Sequence, residues 1–192
     1  MCALGEFLAK EKQKFKKAGD LIHRAYEADP ENPDRLNDYG RFLLYSLSDG
    51  RRAESLLRQA VQRRTDTLGL EDPSTLRSRM NLASALRYQG KYSEAEYRSV
   101  VAIQERVLGT EHPGTLSTLF NLALNLEFQG QLPDALTLMQ RTEEGRVKVL
   151  GLDYPDTKSA GARLKRIQVK MKKPKGKKSG KLRATTRKRG TE

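Results

Sequence analysis

The 192-residue chain has one cysteine, no tryptophan, two histidines and no apolar run near the length of a membrane span. Each scarcity excludes something. A lone Cys2 builds neither a disulfide framework nor a thiolate metal cluster. A membrane helix needs about 18 consecutive apolar residues, and the chain has no such run. The opening "MCALGEFLAKEKQ" lacks the apolar core of a secretory signal. Catalytic signatures are missing too: there is no Gly-x-Ser-x-Gly, HExxH, CxxC or dinucleotide fingerprint. "GKKSGK" at 176–181 lacks the spacing of a phosphate-binding loop, and His23 and His112 lie far apart. The expectation is a non-catalytic cytoplasmic protein, with the nucleus as an alternative location in a eukaryotic cell, and with no cofactor, metal or small-molecule substrate.

Acidic residues are scarce in one place only. Residues 163–192 hold 14 of the 37 Lys and Arg but one of the 24 Asp and Glu, which leaves 23 of each sign in residues 1–162. The formal charge of +13 therefore belongs to the last thirty residues. This is a neutral body followed by a basic tail, not a basic domain.

The body repeats itself. "LGLEDPSTL" at 68–76 returns as "LGTEHPGTL" at 108–116 and as "LGLDYPDT" at 150–157. The slot before the proline is Asp72, His112 and then Tyr154, and three such different groups point to punctuation rather than to one chemical task. Pro73, Pro113 and Pro155 are 40 and 42 residues apart. Between them runs one pattern: apolar residues at helical spacing, Gly90 or Gly130 where a helix end wants positive φ, then a second helical run. Ala95 and Ala135, five residues past those glycines, are the expected points of close helix approach. Proline in the first turn starts each new unit.

Looser units precede these. Ala53 and Ala60 are seven apart, as are Ala18 and Ala25, and residues 5–28 read as a helix of a partial repeat. "PDTKSAGARLKRIQVKMKK" begins like a first helix without a second, which suits a cap over the last apolar face. The unit at Pro73 is two residues short between Gly90 and Leu108. The favoured reading puts the loss in the turn, with Tyr92, Glu96, Val100, Ile103 and Val107 forming one stripe; the alternative is a second helix that begins late.

The Ala-x6-Ala spacing, the "DPENP" junction and the glycine between helices resemble the tetratricopeptide repeat. The 42-residue form, with "NLASALRYQGKYSEA" and "LGTEHPGTL", resembles the repeats of kinesin light chains. The resemblance covers about residues 15–162. It implies an all-α, right-handed solenoid of antiparallel helix pairs whose first helices line a concave groove for a peptide or partner surface. Short relatives of this type also occur in bacteria beside tubulins, so a tubulin-like filament is an implied alternative partner. The division expected is a helix and partial repeat at 1–33, a solenoid at 34–162, and the end of a capping helix with the basic tail at 163–192.

The same resemblance places Asn81 and Asn121, with Asp38 as an irregular first member, in the groove where they hold ligand backbone. A carboxamide suits this because it donates and accepts. Arg77, one turn before Asn81, would pair with an acidic group, and Ser84, Ser117 and Asn125 share the face. The competing reading has the asparagines tie one repeat to the next. Tyr88 and Phe128 are weighted toward packing. In the tail, Lys172, Lys173, Lys175, Lys177, Lys178, Lys181, Arg183, Arg187, Lys188 and Arg189 cannot fold alone and suit an arm for an acidic partner. No aromatic residue follows Tyr154, so any nucleic acid would be bound non-specifically through this tail.

Overall fold

The computed structural model describes residues 2–172, with side chains from residue 13 on. Those residues form eight α-helices and no strand: α1 (Cys2–Ala28), α2 (Pro33–Ser46), α3 (Gly50–Leu68), α4 (Pro73–Tyr88), α5 (Glu94–Val107), α6 (Pro113–Gln129), α7 (Leu132–Leu150) and α8 (Pro155–Lys172). Among the described residues no helix is long and apolar enough to cross a membrane, and no cluster of His, Cys, Asp and Glu has the makings of a metal site.

Helix starts follow from local chemistry. Pro33, Pro73 and Pro113 sit at the first turn of their helices, where the missing N–H costs nothing. The residue before each is the N-cap. Asn32 accepts from the N–H groups of Asp34 and Arg35, Asp72 from Ser74 and Thr75, and His112 Nδ1 from Gly114. At these three junctions the slot shares one task, since a carboxamide, a carboxylate and an imidazole each accept a backbone hydrogen bond. At the other end, Gly90 and Gly130 adopt φ of 75° and 80° as the spacing predicts.

Each helix packs on the next from α1 to α8, so the chain is a solenoid of hairpins. First helices also touch each other, α2 with α4 and α4 with α6, while no comparable contact joins α3 to α5 or α5 to α7. That asymmetry puts the first helices on the inner face and the second helices outside. One core lies between α2 and α3, with Leu36, Leu43, Leu44, Ala53, Leu57 and Ala60 all fully buried. A second runs from Ala83 and Tyr97 through Leu122, Leu126, Ala135 and Met139 to Ala160 and Ile167 of α8. Each buried leucine contributes about 1.5–3 kcal/mol of transfer free energy.

The shortened unit departs from expectation. α3 and α7 begin 23 residues before the prolines that follow them, whereas α5 begins 19 before Pro113. The second helix starts late; the turn does not absorb the loss, and residues 89–93 form a longer connection than Gly130 and Gln131 do. Register is kept by counting back from the proline. Ser93, not Ala95, stands where Ala53 and Ala135 stand, and Ala95 is exposed. The inward stripe is Tyr97, Val100, Val101 and Gln104, while Tyr92 and Val107 are exposed. Losing about one turn at the start of α5 spares everything after it the roughly 200° rotation a mid-helix deletion would impose.

Candidate partner-binding face

The inner face is held in register by polar groups that the solenoid buries. Arg64 of α3 is 1% exposed. Its Nη1 donates to Ser74 O at 2.8 Å and Ser78 Oγ at 2.6 Å, and its Nη2 pairs with Asp34. Ser78 Oγ donates to Asn37 Oδ1 at 3.2 Å, and Asn81 Nδ2 reaches the same oxygen at 2.9 Å. Asn37 completes the chain by donating to Asp38 Oδ1 at 3.2 Å. This continuous network joins α2, α3 and α4. In low-dielectric surroundings such bonds are strong, and losing one partner is costly.

Within that network, Asn81 is 2% exposed, so its side chain sits between repeats. Asn37, rather than Asp38, meets it; Asp38 is exposed. Asn121 is only half-buried and donates to Ser117 O at 3.0 Å and toward Met80 Sδ at 3.3 Å. Ser84 is buried, its hydroxyl 3.0 Å from the Tyr97 hydroxyl and 3.1 Å from Met80 O. Asn125 is fully buried and neither of its amide atoms has a hydrogen-bond partner among the described residues. Arg77 is half-exposed, with Nη2 4.0 Å from Asp34 Oδ1. Lys172 closes α8; Lys173, Lys175, Lys177, Lys178, Lys181, Arg183, Arg187, Lys188 and Arg189 lie outside the described residues.

The open part of the inner face is aromatic. Tyr45, Tyr88 and Phe128, near the C-terminal ends of α2, α4 and α6, are 47%, 49% and 59% exposed. The weighting of Tyr88 and Phe128 toward packing is therefore corrected: position G−2 of the repeat points outward, and the buried role falls to Leu126 two residues earlier. Tyr45 and Tyr88 meet edge-on with centroids 6.2 Å apart. The Arg87 guanidinium lies 5.0 Å from the Tyr88 centroid and 5.4 Å from that of Phe128, linking the two rings by cation–π attraction. Beside this row, burial pushes the Tyr97 hydroxyl pKa up, against the pull of its Ser84 hydrogen bond and of Arg87.

Both ends of the row are charged. Toward α8, the buried carboxylate of Glu127 gathers Arg163 at 3.4 Å, Arg166 at 3.8 Å and Lys170, which fastens the last helix onto α6. Toward α3, Glu54 accepts from Arg58, Gln89 and Lys91. Burial works against its charge, but those hydrogen bonds prevail and hold its carboxyl at about 2. Sequence reasoning missed Arg64, Asn37, Arg87 and Tyr45. For Arg64 a signal existed: it falls nine residues before Pro73, as Arg146 does before Pro155, and both offsets land a charge inside an apolar stripe.

Family models of the tetratricopeptide repeat match residues 36–74 and 75–114, and a second such model matches 96–146. The chain belongs to the tetratricopeptide repeat family. Among solved structures, this repeat protein is similar to a Podosopora anserina kinesin light chain of nearly identical TPR-like repeats. The identity is 29%, the match covers 71% of this chain and 67% of that one, and the TM-score is 0.65. A variant of the same protein matches at 28% identity, 70% and 66% coverage and TM-score 0.63. BtubC (BKLC) from P. vanneervenii matches at 18% identity over 91% of this chain and 82% of that one, with TM-score 0.58, and shares the fold. No curated protein matches the chain in sequence.

Proposed function

We propose that this repeat protein is a non-catalytic adaptor that holds a segment of another protein against the inner face of its solenoid. The observation that carries the reading is the exposed row Tyr45–Tyr88–Phe128, bridged by Arg87, on the face where first helices meet. Exposed, ordered rings beside a planar cation give large contact area at little conformational cost, which is why such residues dominate binding hot spots. Arg77, Asp38, Ser117 and Asn121 offer polar contacts along the same face. Asn81, Ser84 and Asn125 form its wall from inside. The ten basic residues from Lys172 to Arg189 would act as a salt-sensitive arm that raises the rate of encounter with an acidic partner, whether a protein surface, a filament or nucleic acid.

The test uses exposed residues, because Asn81 variants would confound binding with folding. Tyr88→Ala with Phe128→Ala in the full chain should keep the helical circular dichroism and lose about tenfold or more in affinity for any partner isolated with the wild type. Removing residues 173–192 should leave that partner's identity unchanged and reduce the salt dependence of binding. If the ring variant binds as well as wild type while the truncated chain binds nothing, the arm is the recognising element and the groove reading fails.

A further inference from the structure

We infer that the N-terminal end of the solenoid is a self-association surface, on which α1 pairs antiparallel with α1 of a second copy. α1 holds the place of a second helix in its hairpin. Ala18 is exposed, and Gln13, which stands 20 residues before Pro33 as Ala53 and Ala135 stand before Pro73 and Pro155, is exposed too, whereas those two alanines are fully buried. Leu21 beside Ala18 is 66% exposed, and Ala25 completes the stripe at helical spacing. Gly19 fixes which way this face points: a Cβ there would lie 2.4 Å from Phe42 Cζ, so α1 is seated on α2 through Gly19 and Ile22. A hollow of about 190 Å³, lined by Leu21, Ile22, Ala25, Arg35 and Asp38, runs along the seam.

The order of charges names the occupant. Lys17, Asp20, Arg24 and Glu27 line one flank of the stripe, all exposed, and Lys17, Asp20 and Arg24 make no ion pair among the described residues. Glu27 approaches only His23, at 3.7 Å. In an antiparallel helix pair each flank meets the same flank of its partner. About a two-fold axis near residue 22, Lys17 then stands opposite Glu27 of the second copy and Asp20 opposite Arg24, four ion pairs in all. A foreign helix has no need of that palindrome. An isologous contact uses it twice, and such flanking charges set partner choice and orientation in paired helices.

Sedimentation of the full chain over a range of concentrations should show a species of twice the 21.7 kDa protomer mass. Leu21→Glu should weaken the dimer by about tenfold or more while leaving helicity intact, because the side chain is exposed in the protomer. Two charge-reversed chains give a sharper readout. Asp20→Lys/Glu27→Lys makes the flank wholly basic, and Lys17→Glu/Arg24→Glu makes it wholly acidic. Each should be monomeric alone and the mixture should dimerise. A wild type that stays monomeric, a dimer indifferent to Leu21→Glu, or reversed chains that fail to recombine would each overturn the inference.

Discussion

Two junctions between successive first helices use the same repeat register and different chemistry. At the α2–α4 junction Arg64 donates to the first-turn carbonyl of Ser74 and to Ser78, and the chain of bonds continues to Asn37 and Asn81. At the α4–α6 junction the residue nine before the proline is Gln104, whose Oε1 is buried without a partner. There the matching carbonyl of Gly114 is taken by the Thr118 hydroxyl at 3.2 Å. One turn of the solenoid later the arginine returns: Arg146 donates to Asp156 O at 2.8 Å and stacks over Phe120 at 4.8 Å, and burial lowers its pKa while Asp156 opposes the shift. The repeat thus fixes a need, a donor for one first-turn carbonyl, and not a residue. Where arginine fills it, the junction gains a network; where threonine does, the junction is held by its apolar contacts.

The largest expected break of this comparison is Arg64→Met. It removes a fully buried donor that reaches the Ser74 carbonyl, Ser78 Oγ and Asp34 together, so a loss of about 3 kcal/mol in unfolding free energy should follow. Gln104→Met at the equivalent position should cost less than about 1 kcal/mol, because its amide oxygen is already unpaired. Denaturant unfolding of the two variants side by side reads the difference, and equal losses would mean that the network adds nothing to the α2–α4 junction.

A smaller contrast lies in the asparagines. Asn81→Ala should cost about 2 kcal/mol, since it empties a buried position and takes a donor from Asn37 Oδ1. Asn121→Ala, at a half-buried site bonded to its own helix and to a thioether, should cost about 0.5 kcal/mol. Matching losses at both sites would contradict the separation of a buried tie from an open one.

These asparagines also mark how far the sequence could be read. The repeat register, the eight-helix order, the N-terminal prolines and the buried Ala53, Ala60 and Ala135 all follow from local spacing. Burial of identical residue types did not follow. Asn81 and Asn121 share a place in the repeat, and what separates them is a neighbour about 40 positions back, Asn37 for one and Met80 for the other. Ala95 misled because counting forward from Gly90 assumes a fixed helix start, whereas packing preserved the distance to Pro113. Tyr88 and Phe128 misled because periodicity near a helix end does not tell an inward ring from one lying along the rim.

The smallest expected effect concerns the caps of the same two junctions. Asp72 accepts from two backbone N–H groups at the start of α4, at 2.8 and 3.3 Å, while His112 accepts from one at the start of α6, at 3.1 Å. A carboxylate also brings a negative charge to the positive end of the helix dipole. His112→Asp should therefore stabilise the chain by about 0.5 kcal/mol, a rise of about 1–2 °C in Tm for a protein of this size. The reciprocal Asp72→His should lose about as much. His112 is exposed, and its ring accepts a hydrogen bond from Gly114 in the turn it closes. If His112→Asp instead destabilises the chain, the imidazole makes a contact across the α4–α6 junction that an acceptor alone does not replace.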